Sequence, residues 1–119
     1  MRHLIDISDL TRDETNELIE TASDIIVNPD NYANKCSRKK IATLFYEPST
    51  RTRGSFELAA KNLSADVINL ASASSSIVKG ESLIDTLHTL QAMGVDVIVI
   101  RHSMAGAPYL AAKHAEASI

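Results

Sequence analysis

The chain has 119 residues, a formal net charge of −3, a single cysteine and no tryptophan. This length fits one domain, the acidic balance argues against a nucleic-acid partner, and one cysteine excludes both an internal disulfide and a cysteine zinc cluster. No apolar run approaches the roughly 20 residues that span a bilayer, and residues 1–6 carry no secretory signal, so we expect a cytoplasmic domain without a membrane partner.

The first predicted element is an amphipathic helix. Its apolar side chains recur at spacings of three and four, at Leu18, Ile19, Ala22, Ile25 and Ile26. Thr11 has the position of an N-cap, and Glu14 stands three residues after it, which is the spacing of a capping box. Pro29 and the polar residues after it end the helix.

The rest of the chain alternates strands with helices. Short apolar runs predict strands at 41–45, 65–70 and 95–100. Helical spacing predicts one helix from Thr50, with Phe56, Ala59, Ala60 and Leu63 on its apolar face, a second from Leu83 closed by Gly94, and a third around 107–117. Residues 71–80 are small and polar, which predicts a mobile loop.

This order of elements predicts an α/β fold, an open parallel sheet with helices on both faces. The helical connections are long enough to cross between parallel strands. Ligands of such sheets bind outside the carboxyl ends of the strands, so the residues just after Phe45, Leu70 and Ile100 are the first places to look for a site.

The carboxyl end of the first strand carries a dense group of hydrogen-bond donors. Ser49, Thr50, Arg51, Thr52 and Arg53 follow one another at a predicted helix N-terminus, whose free N–H groups and dipole favour an anion. Guanidinium groups add paired donors that match phosphate oxygens. The alternative is an ordinary N-cap followed by a solvated helix face, and the run of five donors makes the phosphate cradle the better interpretation.

Cationic residues also follow the other two strands. Lys79 lies in the serine-rich loop after the second strand, where a plain linker with a solvated lysine is the competing interpretation, and Arg101 with His102 directly follows the third. The acids are concentrated in residues 1–31, so the later part of the chain attracts anions. Together the three strand ends predict a site for a small phosphorylated substrate.

Other kinds of site lack their patterns. The four glycines are too far apart for a P-loop or a dinucleotide-binding loop. His3, His88, His102 and His114 have no metal-ligand spacing, so no metal is expected. Cys36 has no evident histidine base, and residues 38–40 are interpreted as a solvated turn.

Residues 45–57, 78–86 and 99–102 resemble the carbamoyltransferase family, and within it the aspartate rather than the ornithine branch. The resemblance implies that Ser49, Thr50, Arg51, Thr52 and Arg101 bind carbamoyl phosphate, with Arg51, Thr52 and Arg101 acting in catalysis. It implies that Ser75 and Lys79 are donated to the neighbouring subunit of a homotrimer, with Ser74 and Ser76 as alternatives to Ser75.

The implied reaction is transfer of the carbamoyl group to the amine of L-aspartate, a step of pyrimidine synthesis. No cofactor is implied, and a separate regulatory chain is a possible partner in this family. By resemblance, residues 1–119 are the N-terminal portion of the carbamoyl-phosphate-binding domain, and the family's aspartate-binding domain is absent from them.

The sequence ends at Ile119, before the family's next strand and before a His-Pro-x-Gln segment that contacts the carbamoyl group. We therefore expect a sheet that is incomplete at its C-terminal end and a piece that is inactive by itself. Two alternatives stay open, a non-catalytic phosphate-binding or subunit-interaction module and an enzyme of the ornithine type.

Overall fold

The computed structural model describes residues 2–71 and 82–119. It contains four α-helices and three β-strands in these segments. The helices are α1 (Arg12–Val27), α2 (Thr50–Asn62), α3 (Leu83–Ala92) and α4 (Ala107–His114), and the strands are β1 (Lys40–Phe45), β2 (Asp66–Ala71) and β3 (Val97–Arg101). Short 3-10 helices occupy Ile7–Asp9 and Pro29–Tyr32. The predicted alternation of strands and helices is confirmed.

The strands form one parallel sheet in the order β2-β1-β3. In the register of this sheet Phe45 pairs with Ala71 on one side and with Arg101 on the other. The carboxyl ends of the three strands are therefore level, and the residues that follow β1 and β3 are neighbours. The predicted open parallel sheet is confirmed.

Helices cover both faces of the sheet. One face holds a core of alternate strand residues packed with α3 and α4, including Ala42, Leu44, Ile98, Leu87, Leu90 and Ala111. Thr43 points to the other face, because side chains alternate along a strand, and a hydrogen-bonded chain through Asn69 joins it to Glu57 of α2. The helix that begins beside the predicted cradle therefore lies on the face opposite the main core.

Local signals set the helix ends. Thr11 Oγ1 accepts from Glu14 N, and the Glu14 carboxylate accepts from Thr11 N at 2.8 Å, so the predicted capping box is present. Gly94 follows α3 with φ +74°, a left-handed conformation that favours glycine, and it lies where the sequence predicts the end of that helix.

Two predicted boundaries are wrong. The last helix ends at His114 rather than at 117, because Ala115 is extended and Ser118 pairs alongside β3: Ile98 N donates to Ser118 O at 2.8 Å, and Ser118 N donates to Asp96 O, just before the strand, at 2.9 Å. The third strand begins at Val97 rather than at 95. Asp96 instead uses its carboxylate to accept from Lys40 N and Lys39 Nζ.

The apolar faces of the first two helices are less buried than their spacing predicts. Among the described residues, Leu18, Ile19 and Ile26 are 53%, 61% and 82% exposed. Phe56 of α2 is also 46% exposed. In the part of the chain that the structure describes, no helix combines the length and hydropathy needed to cross a membrane.

Candidate active site

The level strand ends bring two segments of the predicted site together. Tyr46 N donates to Arg101 O at 2.7 Å, which continues the pairing of β1 and β3 by one residue. The chain then turns through Glu47 and Pro48 into Ser49, at the start of α2. Arg101 and the start of α2 therefore lie on adjacent strand ends.

Within the part of the chain that the structure describes, Arg101 contacts two side chains at this edge. Its Nη1 donates to Ser49 Oγ at 3.4 Å, and its Nε donates to Glu47 Oε2 at 3.2 Å. The Arg101 side chain is 45% exposed, so the guanidinium is held in place while part of it faces solvent. Such a group can present donors to an incoming anion.

The N-terminus of α2 has free donors. Ser49 occupies the N-cap position, but its hydroxyl makes no capping hydrogen bond, and the first bond of the helix ladder runs from Arg53 N to Ser49 O at 3.0 Å. The N–H groups of residues 50–52 precede that bond and have no carbonyl in the helix to donate to. The first turn contains no acidic residue, so the positive end of the helix dipole is not neutralised there.

The predicted ligands take different positions around this helix start. Thr52 is half-buried and lines a cavity of about 520 Å³ together with Arg101. Thr50 and Arg51 are exposed and do not line that cavity. The structure thus brings Arg101 to Ser49 through a hydrogen bond and places Arg101 and Thr52 in one, mainly apolar, cavity lining, while Thr50 and Arg51 are exposed.

The remaining predicted ligands lie outside the described residues. Ser75 and Lys79, which the resemblance implies are donated to a neighbouring subunit, belong to the segment between 71 and 82, as do Ser74 and Ser76.

Glu47 is a residue of this edge that the sequence analysis missed, since no role was assigned to the acid between the first strand and Ser49. Its carboxylate pairs with Arg101 at 3.2 Å, so it places a negative charge beside one of the predicted anion ligands. The available signal was an acid at the carboxyl end of a strand, two positions before a run of hydroxyl and guanidinium side chains. Acids that follow a strand directly are placed at the site edge by the parallel register.

His102 also joins the site edge. Its ring lies 4.6 Å from the ring of Tyr46 between centroids, and its Nδ1 accepts from Met104 N at 3.0 Å. Within residues 2–71 and 82–119, no three His, Cys, Asp or Glu side chains are grouped so that they could hold a metal ion. The polar groups described at this edge are hydroxyl and N–H donors, the Arg101 guanidinium and the Glu47 carboxylate paired with it.

Comparison with known proteins gives the following similarities. Residues 2–119 match the family model described as aspartate/ornithine carbamoyltransferase, carbamoyl-P binding domain. The chain is 54% identical over 121 residues to an aspartate carbamoyltransferase catalytic subunit of Dehalococcoides mccartyi, an alignment that covers 99% of this chain and 37% of that protein.

Solved structures agree with this match. The catalytic subunit of M. jannaschii aspartate transcarbamoylase superposes with a TM-score of 0.89 at 41% identity, over 100% of this chain and 40% of the other. Aspartate transcarbamoylase from Trypanosoma cruzi in complex with carbamoyl phosphate superposes with a TM-score of 0.90 at 32% identity, over 99% of this chain and 39% of the other. This chain thus spans well under half the length of these relatives.

Proposed function

Since the chain belongs to the aspartate/ornithine carbamoyltransferase family, through the match of residues 2–119 to its carbamoyl-phosphate-binding domain, we propose that it supplies the carbamoyl-phosphate site of an aspartate carbamoyltransferase. The whole enzyme would transfer the carbamoyl group to the amine of L-aspartate and release phosphate, in the cytoplasm and without a cofactor. The names of the similar catalytic subunits support aspartate over ornithine as the acceptor.

The proposed ligands divide between the two ends of carbamoyl phosphate. Ser49, Thr50 and Arg51 would hold the phosphate with the free N–H groups of the first turn of α2, where a hydroxyl and a guanidinium add to the helix dipole. Thr52 and Arg101 would bind the carbonyl oxygen, and Arg101 would also reach the phosphate. The contact of Arg101 with Ser49 supports the part of this division that brings Arg101 to the phosphate.

Catalysis in this proposal is electrostatic. Attack of the amine on the carbonyl carbon places negative charge on the carbonyl oxygen, and donors already aimed at that oxygen stabilise the transition state more than the substrate. As the bond to the leaving oxygen breaks, Arg51 neutralises the charge that collects on the phosphate. Thr52 and Arg101 are therefore proposed as catalytic residues together with Arg51.

Other parts of the proposed enzyme lie beyond the described residues. Ser75 and Lys79 would complete the site of a neighbouring subunit in a homotrimer, and a separate regulatory chain could join such an assembly. We propose residues 1–119 as the N-terminal portion of the carbamoyl-phosphate-binding domain, with aspartate held by a second domain of the full-length enzyme. Binding of phosphate without turnover is then the property expected of these 119 residues.

One observation carries the proposal, which is the contact of Arg101 with Ser49 at the uncapped N-terminus of α2. Arg101 ends β3 and Ser49 caps the helix that follows β1, so the parallel register brings them together at one edge of the sheet. A non-catalytic phosphate-binding module would share this feature, so the test begins with binding.

Calorimetric titration of the 119-residue chain with inorganic phosphate and with carbamoyl phosphate tests this site. Arg101→Ala and Arg51→Ala should each weaken binding at least about tenfold, because each removes charge-assisted hydrogen bonds to the anion. Arg12→Ala, at an exposed position of α1, is the matched control and should bind as the wild type does. Equal losses in all three variants would reject the site.

The same preparation, given both carbamoyl phosphate and aspartate, should form no N-carbamoyl-aspartate. Turnover by the 119 residues would contradict the proposed need for a second domain.

A further inference from the structure

A chain of hydrogen bonds ties α2 to the sheet. Thr43 Oγ1, on a fully buried residue of β1, donates to Asn69 Oδ1 of β2 at 2.5 Å. Asn69 Nδ2 donates to Glu57 Oε2 of α2 at 2.8 Å, and Lys61 Nζ donates to Glu57 Oε1 at 2.7 Å. This network, formed by Thr43, Asn69, Glu57 and Lys61, is separate from the residues that would touch the substrate.

Helix α2 has little buried apolar surface that could set its rotation about its own axis. Among the described residues of α2, Ala60 alone is buried. Phe56 and Leu58 are 46% and 63% exposed. A helix that buries so little apolar surface can rotate on the sheet at a small cost in free energy. Directional hydrogen bonds between its side chains and the sheet therefore set its orientation.

The network acts on the side of the helix that continues to the candidate site. Thr50, Arg53 and Glu57 are spaced by three and four residues, so they lie along one side of α2. Side chains reach about 5 Å from a helix axis, so a rotation of about 20° would move the side-chain donors of the first turn by about 2 Å. A displacement of that size is enough to spoil an anion site whose other half, Arg101, is fixed on β3.

We propose that Asn69 and Glu57 are positioning residues of the phosphate site, which hold the first turn of α2 in register with Arg101 by tying the helix to Thr43. This inference rests on the proposed function, because it concerns the orientation of that same site. It predicts that Asn69 and Glu57 affect the affinity for phosphate, although neither would touch the substrate.

Exchanging the amide of Asn69 and the carboxylate of Glu57 between the two positions tests the network. In Glu57→Gln the charged acceptor of Asn69 Nδ2 and Lys61 Nζ becomes a neutral amide, and in Asn69→Asp two carboxylates face each other. The double variant Glu57→Gln/Asn69→Asp restores every bond. The carboxylate introduced at position 69 would accept from Thr43 Oγ1 and from the amide introduced at position 57, and the oxygen of that amide still accepts from Lys61. The net charge of the double variant equals that of the wild type.

The measurement is the affinity for inorganic phosphate by calorimetry, at a temperature where circular dichroism shows each variant to be folded. Each single variant should bind about five- to tenfold more weakly, as expected for loss of one hydrogen bond to a charged group. The double variant should return to within about twofold of the wild type, a rescue that depends on the pairing itself. Asn69 is exposed, and Asn69→Ala removes its contact with Glu57 without placing two carboxylates side by side. This variant should lose as much phosphate affinity as Glu57→Gln and Asn69→Asp do.

Asp24→Asn is the matched control. Asp24 also accepts two side-chain hydrogen bonds, from Tyr32 Oη at 2.6 Å and Asn28 Nδ2 at 2.8 Å, but it lies at the end of α1. The phosphate affinity of the Asp24→Asn variant should equal that of the wild type. The inference is overturned if the folded single variants bind as tightly as the wild type, or if the double variant is as weak as the worse single one. If the wild type itself binds no phosphate, the proposed function fails and this inference with it.

Discussion

Arg101 is the residue at which the two strand ends of the candidate site meet. Its guanidinium is shared between a hydroxyl of the proposed cradle, Ser49, and a carboxylate, Glu47. An arriving anion and Glu47 would compete for the same donors, because both offer oxygen atoms with negative charge. In the proposed site Glu47 would therefore lower the attraction for phosphate while it keeps Arg101 in place.

Glu47→Gln should tighten the binding of inorganic phosphate by about two- to fivefold, the range expected for removal of one exposed charge pair. The reason is the loss of a competing negative charge beside the anion site. Calorimetry at low and high ionic strength checks this, since the gain should shrink as salt screens the charges. Unchanged or weaker binding at low salt would show that Glu47 acts mainly by holding Arg101.

At the scale of the elements, helix ends are the features that follow most directly from local sequence. The capping box of Thr11 and Glu14 satisfies N–H groups at the start of α1 with side chains only three residues apart. The long apolar side of that helix behaves differently, because exposure depends on what packs against it. Leu18 and Ile26 stay exposed among the described residues despite their helical spacing.

Thr11→Ala should lower the free energy of unfolding by about 1 kcal/mol, the usual cost of losing an N-cap side chain. Urea denaturation followed by circular dichroism measures this. Thr89→Ala in α3 is the matched control, because Thr89 is exposed and its hydroxyl only donates to Asp85 O within the helix. An equal loss of unfolding free energy in Thr89→Ala would show that the N-cap hydrogen bond of Thr11 contributes no more than a threonine hydroxyl inside a helix.

At the scale of the whole molecule, acidic side chains are held ionised by hydrogen bonds in several separate places. The pKa values of Asp6, Asp9, Glu14, Asp24, Glu57 and Asp96 all lie below their usual values. The largest effect is at Glu14, where a hydrogen bond from Arg2, joined by those from Thr11, lowers the pKa from 4.5 to about 2. The same bonds link the N-terminal segment to α1.

Stability should therefore fall on acidification. A carboxyl group whose pKa is lower in the folded state binds more protons when the chain unfolds, so its contribution is present above the unfolded pKa and is lost as pH falls through the folded one. For Glu14 this window runs from about pH 4.5 down to about 2. Thermal unfolding between pH 6 and pH 2, in steps of about half a unit, should show Tm decreasing across it. In Glu14→Gln the decrease should be shallower, and an identical pH profile would contradict the assignment to Glu14.

Much of the candidate site could be predicted because its residues are adjacent in sequence at a strand end. Residues 49–52 follow β1 directly, and the ligand rule for parallel sheets identifies that edge before any coordinates are known. Glu47 could not be assigned a role in this way, because its importance lies in a contact with Arg101 across 54 positions of the chain. The link from Thr43 through Asn69 to Glu57 was equally hidden, since it joins three elements.

The sequence by itself determined the order of strands and helices, the caps of α1 and α3, and the donor-rich edge, because periodicity, capping and strand-end chemistry act over a few residues. The tertiary structure alone decided where α4 stops, which apolar faces are buried, and which side chains hold Arg101 and α2 in place. These features depend on the parallel register and on packing between segments far apart in the chain, and no local pattern encodes the partner across such a distance.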